Sequence, residues 1–457
     1  MGIFLAVIVV AFALGYQAYR DLSNPLPVPD LDLSEYWGRG DSKSYKEDKT
    51  IKPFKISYSA EVIKRLTDKL DDAGTFTESL EGTAFEYGFN SKRLSEILSY
   101  WKGQYLPKWS EREAFLNQFP QFTTQIQGLN IHYIHAKPKT VANVKVYKMI
   151  LLHGWPGSIR EFYDIIPLLI TPKDGIAFEV IAPSLPGYGF SEGAYKQGLG
   201  QLKAAVILRN LMIRIGFDKF YVQGGDWGSL IGSNMATVFP ENVLGYHSNM
   251  CSVNSPMANI KMFVASFMPS WFIKDEKMRS WIYPFTPHFM NILQETGYMH
   301  IQATKPDTIG VALQNNPVGL AAYIIEKFST WTNVDYRTLR DGGLEKYFTL
   351  DSLLDNIMIY YLSNSITTSV RFYKEFFIED AKYNSGRVLA LPPTGCAHFR
   401  HELAHQPEWV LKDKFPNLIQ VSLFDDGGHF AAMQLPKVLY ADYVAFVKKT
   451  LEPKKAL

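Results

Sequence analysis

Cysteine is nearly absent: 457 residues hold only Cys251 and Cys396. That is too few for a disulfide framework and fits a reducing compartment. No Asn-x-Ser/Thr sequon occurs anywhere in the chain, as expected if its bulk never meets the glycosylation machinery. An excess of one charge sign is also missing. The net charge is +2, and without a strongly basic or acidic surface no nucleic-acid partner is expected. Neither low-complexity tracts nor an internal period is found, which excludes disordered, collagen-like and repeat classes. What is present, 47% hydrophobic and 20% charged residues, is enough for one large core or two domains.

From Met1 to Tyr19 there is no charged side chain, and Ile3 to Leu14 is almost wholly Ile, Leu, Val, Phe and Ala. At about 1.5 Å per residue, a helix there nearly matches the ~30 Å hydrocarbon thickness of a bilayer. A secretory signal would carry a basic stretch ahead of the apolar run. Myristoylation of Gly2 would want Ser or Thr where Ala6 stands. The expectation is therefore a single-span anchor over residues 1–20. Arg20, Arg39, Lys43 and Lys46 follow it and no basic residue precedes it, which orients the bulk toward the cytosol. The ending Lys454-Lys455-Ala456-Leu457 resembles the dilysine retrieval signal of endoplasmic-reticulum membrane proteins, so the membrane expected as partner is that of the endoplasmic reticulum.

After the run, Asn24-Pro25-Leu26-Pro27-Val28-Pro29 reads as a stiff, extended linker. Residues 50–140 are mixed and aromatic, with helices expected near 60–73, 91–105 and 111–118. Then a rhythm sets in. Apolar runs at 146–152, 178–182 and 220–223 alternate with helix-length segments at 202–215 and 229–239, and a further strand is expected at 243–250. Such alternation implies parallel strands with crossovers, an α/β sheet. From about 251 to 375 the chain turns to Met-, Phe-, Trp- and Tyr-rich helical stretches broken by Pro256, Pro269, Pro284 and Pro287, which reads as a lid inserted between strands. Strands at 388–391 and 418–424 and a helix at 436–451 resume the pattern. The expected division is an anchor (1–20), a linker and N-terminal extension (21–140), a first core part (141–250), a helical lid (251–375) and a second core part (376–457).

The most informative segment is Gly224-Gly225-Asp226-Trp227-Gly228. It has the spacing of the nucleophile elbow of the α/β-hydrolases, with Asp in place of Ser. Glycine two residues to either side lets the backbone turn sharply from strand to helix. A carboxylate there suits a strained or activated carbon rather than an acyl group, and the product is an ester between enzyme and substrate. The plainer reading is a Gly-rich turn with an Asp at a helix N-cap. The fold's chain order of nucleophile, acid and histidine continues with Glu402 and with His429 in Asp425-Asp426-Gly427-Gly428-His429. His401-Glu402-Leu403-Ala404-His405 also matches the zinc motif H-E-x-x-H, but that motif needs a helix, and Pro407 behind with Pro392-Pro393 ahead argues against one. No metal and no cofactor is expected. Glu402 reads as the carboxylate that orients His429.

His153-Gly154-Trp155-Pro156, the elbow, Gly297-Tyr298-Met299-His300-Ile301-Gln302, Arg371-Phe372-Tyr373-Lys374-Glu375 and Gly427-Gly428-His429-Phe430-Ala431 together resemble the microsomal epoxide hydrolase family. Residues 302–310 and 326–332 are similar to its insect juvenile hormone branch. The resemblance spans essentially the whole chain and implies an α/β-hydrolase fold that turns lipophilic epoxides into vicinal diols. It implies Asp226 as nucleophile, His429 as general base oriented by Glu402, and Tyr298 and Tyr373 as proton donors to the epoxide oxygen. It also implies an oxyanion hole from the Trp155 and Trp227 backbone N–H groups, and a cis Trp155–Pro156 bond. Taken without the resemblance, either tyrosine reads equally as an amphipathic core residue, and His153 as a structural turn residue. A haloalkane dehalogenase shares the elbow Asp, and a non-catalytic binder of hydrophobic ligands shares the fold. The lid tyrosines separate the first, since a departing halide needs no acid; intact Asp226 and His429 argue against the second.

Overall fold

Strand-forming runs ending in glycine-rich turns assemble into one nine-stranded sheet. The computed structural model describes residues 2–140 and 142–452. Its strands are β1 (Lys52–Phe54), β2 (Gln121–Ile126), β3 (Leu129–Ala136), β4 (Lys145–Leu152), β5 (Ile176–Pro183), β6 (Phe220–Gly224), β7 (Val243–Ser248), β8 (Thr394–His401) and β9 (Leu418–Gly428). Their order across the sheet is β1-β2-β3-β5-β4-β6-β7-β8-β9. The first four in that order pair antiparallel, and from β5 to β9 all pairs are parallel. Strands β4 to β6 are buried almost throughout, as a parallel sheet covered by crossover helices requires. The helices Gln201–Ile215 and Asp226–Val238 pack on each other, and the closing helix Pro436–Leu451 packs on β7, β8 and β9.

The sheet reaches into the stretch expected as an N-terminal extension. β2 and β3 form a hairpin through Gln127 and Gly128, whose φ angles of 51° and 88° suit a two-residue turn matched to strand twist. The expected strand at 388–391 is displaced. A 3-10 turn (Ser385–Arg387) leads into it and Val388 makes only an isolated bridge to Leu26. β8 starts at Thr394, after Pro392 and Pro393, because prolines cannot donate to a ladder. Its sequence, Thr-Gly-Cys-Ala-His-Phe, lacks the branched apolar run that marked the other strands.

Between β7 and β8 the chain is helical, from Pro256–Ala265 to Ile366–Tyr383. Pro256, Pro269, Pro306 and Pro317 each open a helix, where a missing N–H costs no bond. Pro287 lies within the first turn of Phe285–Glu295, so these prolines begin helices more than they interrupt them. The helix Leu350–Ser363 is tied back by buried Asp355, which accepts from Tyr105 Oη (2.9 Å), Arg112 Nε (3.1 Å) and Arg160 Nε (3.0 Å).

One expectation about the chain's surroundings changes here. Cys251 and Cys396 are joined in a disulfide, contrary to the reading of a cysteine-poor chain in a reducing compartment. Pairing of Ser248 on β7 with Cys396 on β8 brings Cys251, three residues past β7, beside its partner, and a separation of 145 residues hides this in the sequence. The expected anchor is helical over Gly2–Ser23, although most of its side chains lie outside the described ones. Among the described residues no helix is long and apolar enough to cross a membrane. The dilysine ending lies outside the described residues.

Candidate active site

The parallel strands end in turns that converge on Asp226. Strand β6 ends at Gly224, and Asp226 opens the helix Asp226–Val238 with φ of 49°, a left-handed conformation that costs a non-glycine residue about 1–3 kcal/mol and collects at functional sites. The turn is possible because its neighbours are bare. A Cβ on Gly228 would stand 2.0 Å from the Leu152 carbonyl, and one on Gly154 would stand 2.0 Å from Asp226 Oδ1. Asp226 Oδ1 accepts a hydrogen bond from the Trp155 backbone N–H at 2.8 Å. The Trp227 N–H lies in the first helical turn, where amides have no intrahelical acceptor.

Strand β9 delivers His429 directly after Gly428. Its Nε2 lies 3.4 Å from Asp226 Oδ2 and its Nδ1 lies 2.7 Å from Glu402 Oε1. Its backbone N–H donates to the Trp331 carbonyl at 3.0 Å. Burial alone would push the His429 ring toward neutrality. The charge of Glu402 and the hydrogen bonds to Asp226 and Glu402 outweigh it and raise the ring well above the usual imidazole range. Glu402 is buried one residue past β8. The stretch after His401 is not helical, so the two imidazoles of the H-E-x-x-H match share no helix face.

Tyr298 and Tyr373 come from the helices Gly297–Thr304 and Ile366–Tyr383, which pack against each other. Tyr298 stacks on the Trp155 ring at 5.1 Å between centroids, and Tyr373 meets the Trp227 ring edge-on at 4.6 Å. The two tyrosine rings are 5.8 Å apart. Burial, reinforced by the Asp226 charge, raises Tyr298 well above the ordinary phenol range; burial and the neighbouring Tyr298 and Asp226 do the same for Tyr373. Both phenols therefore remain neutral donors. The Tyr373 hydroxyl is buried beside that of Tyr298 and makes no other hydrogen bond among the described residues, which leaves it free to turn toward something that binds.

His153 is a turn residue. Its Nε2 accepts from the Leu185 N–H at 3.2 Å, and burial lowers its ring to about 4. The Trp155–Pro156 bond is cis. Sequence reasoning missed two contributors. Trp331 packs between Tyr298, at 5.0 Å, and the His429 ring, at 4.9 Å. Glu161 folds back so that its Oε1 lies 1.7 Å from where a Gly157 Cβ would be. Burial, against the pull of His429, pushes its carboxyl up to about 8. With Asp226, His429, Gln223 and Asn249, Glu161 lines a cavity of about 10 Å³, room for one water. The spacing of Glu161 from His153 carries no pattern by which it could have been singled out.

The arrangement is a carboxylate facing a carboxylate-supported imidazole beneath two neutral phenols. Residues 51–162 match the family described as Epoxide hydrolase N terminus, and residues 147–395 match the alpha/beta hydrolase fold. The chain is 50% identical to Juvenile hormone epoxide hydrolase 2 of Ctenocephalides felis, over 97% of this chain and 95% of that one. It is 44% identical to Epoxide hydrolase 1 of Sus scrofa, over 96% and 98%. The crystal structure of juvenile hormone epoxide hydrolase from the silkworm Bombyx mori superposes with a TM-score of 0.89 at 46% identity, covering 92% of this chain and 99% of that one. The rival dehalogenase reading is not favoured. With an α/β-hydrolase core behind its matching N-terminal segment, the chain belongs to the epoxide hydrolases.

Proposed function

We propose that the enzyme opens its epoxide in two covalent steps. An Asp226 carboxylate oxygen attacks an epoxide carbon, the carbon–oxygen bond breaks, and Tyr298 and Tyr373 donate to the oxygen that leaves, giving a hydroxyalkyl ester. Esterification removes the negative charge facing His429. The imidazolium then loses part of its support, and the proton it releases balances the one consumed by the opening alkoxide. Neutral His429, aligned by Glu402, takes a proton from water held in the small cavity beside Glu161, and this water attacks the ester carbonyl. The Trp155 and Trp227 amides receive the oxyanion, and the diol departs with the oxygen that Asp226 supplied. The observation that carries this reading is the Asp226 carboxylate itself, bound by the Trp155 amide on one oxygen and facing His429 on the other.

The names of the insect relatives support a juvenile hormone as substrate, and that of the porcine relative supports other epoxides as well. Helices in residues 251–375 would act as the lid, ahead of a second core part at 376–457 and behind the extension at 21–140 and the first core part at 141–250. Residues 1–20 would anchor the enzyme in the endoplasmic-reticulum membrane; the uncharged run from Met1 to Tyr19 supports this.

The test is one turnover with enzyme in excess over epoxide in heavy-oxygen water, followed by mass analysis of the peptide containing Asp226. Label in that peptide and none in the first-turnover diol is expected. Label appearing only in the diol would mean direct attack by water and no ester.

A further inference from the structure

Outside the active site, the largest unexplained feature is an apolar surface on the helices Pro256–Ala265, Pro269–Phe272 and Phe285–Glu295. Large side chains stand in solvent there: Phe263 is 56% exposed, Phe267 70%, Trp271 72% and Leu293 58%, with Met268 and Phe289 beside them. Residues 256–273 contain a single charge, Lys261, and both its hydrogen bonds go to Asp413, at 2.6 and 2.8 Å. Residues 280–294 contain none, and between the two stretches stands a charged segment of Lys274, Asp275, Glu276, Lys277 and Arg279. An exposed apolar area of this kind marks a binding surface for protein or membrane.

Its neighbour identifies the occupant. Tyr19, Leu22 and Ser23, at the end of the N-terminal helix, line one cleft with Ser255, Met257 and Lys261. Arg387 and Asp413 complete that cleft, so the end of the uncharged run meets the apolar face across a charged rim. A second copy of the chain or another protein would account for the face alone, whereas lipid accounts for both. At the other end of the surface the helix Phe285–Glu295 is joined through Thr296 to the helix that carries Tyr298.

We propose that this face lies in the acyl-chain region of a bilayer as a second membrane contact. Naming lipid as the occupant rests on reading the N-terminal helix as a membrane segment, so the experiment tests the two contacts separately. Single cysteines are introduced in the full chain as Phe267→Cys on the face, Leu14→Cys on the N-terminal helix and Lys173→Cys in the exposed turn before β5, at the end of the strands remote from the site. Each is labelled with an environment-sensitive fluorophore and reconstituted into phosphatidylcholine vesicles with or without brominated acyl chains.

Quenching at position 267 at least half as strong as at position 14, with none at 173, is expected. Quenching at 14 but not at 267 overturns this proposal and leaves the anchor standing. Quenching at 267 but not at 14 does the reverse. A blue-shifted but unquenched label at 267 would mean that protein covers the face, which also overturns the proposal. Should a variant fail to fold, the unaltered chain in the same vesicles is treated with a lipid-soluble photolabel. Adducts are expected on peptides from residues 260–272, and their absence is the overturning result.

Discussion

Replacing Asp226 by asparagine keeps its shape and removes the charge 3.4 Å from His429. Because that charge helps to hold the proton on the ring, the titration midpoint of His429 should move down in Asp226→Asn, by histidine NMR, toward the state expected in the ester. An unmoved midpoint would mean that Glu402 alone holds the imidazolium and that esterification cannot release the base. The sign follows from linkage: losing a neighbouring anion destabilises the protonated ring, so it deprotonates at lower pH. At this scale the sequence was legible where chemistry leaves a pattern. Asp226 stands between spaced glycines, and Glu402 and His429 follow in the order the fold demands. Tyr298 and Tyr373 needed the resemblance, since nothing local distinguishes them among 26 tyrosines. Glu161 and Trp331 act through proximity in space, which leaves no mark in the chain.

Elements set these residues in place, and the tightest is the turn after β4. A methyl group at position 154 would stand 2.0 Å from Asp226 Oδ1, so Gly154→Ala must move the carboxylate, the Trp155 amide, or both. A displacement near 1 Å in a reacting group costs on the order of 10²-fold in rate. The expected result is a loss of that size in kcat with a thermal midpoint little changed, checked by steady-state kinetics beside a melting curve. Full activity would show that the amide does not position the nucleophile. Strands β4, β5, β6 and β9 were legible as apolar runs. β8 was not, because its buried positions carry glycine, alanine, cysteine and histidine and the apolar run just ahead of it ends in prolines. The β2–β3 hairpin was missed although Gln127-Gly128 is the two-residue turn between its strands.

The whole molecule is held together across parts distant in sequence. Asp355 is fully buried and gathers Tyr105 and Arg112 from the N-terminal segment and Arg160 from the core onto the helix Leu350–Ser363. Breaking a buried ion pair from one side leaves charges unpaired in low dielectric and typically costs about 3–5 kcal/mol. Asp355→Asn should lose stability of that order in urea unfolding followed by circular dichroism, whereas a change below about 1 kcal/mol would mean that water reaches the arginines. This cluster and the disulfide between Cys251 and Cys396 join parts that a reading along the chain keeps apart. The contacts that join the parts are separated by 145 residues or more, beyond any local signal.

The cavity of about 10 Å³ between His429 and Glu161 bears on which reaction can complete the cycle. An alcohol, an amine or a thiol would attack the Asp226 ester as well as water does, and each would turn the enzyme into a transferase. The room beside His429 is of water's size, so its lining favours water over each of them and steers the second half-reaction toward hydrolysis.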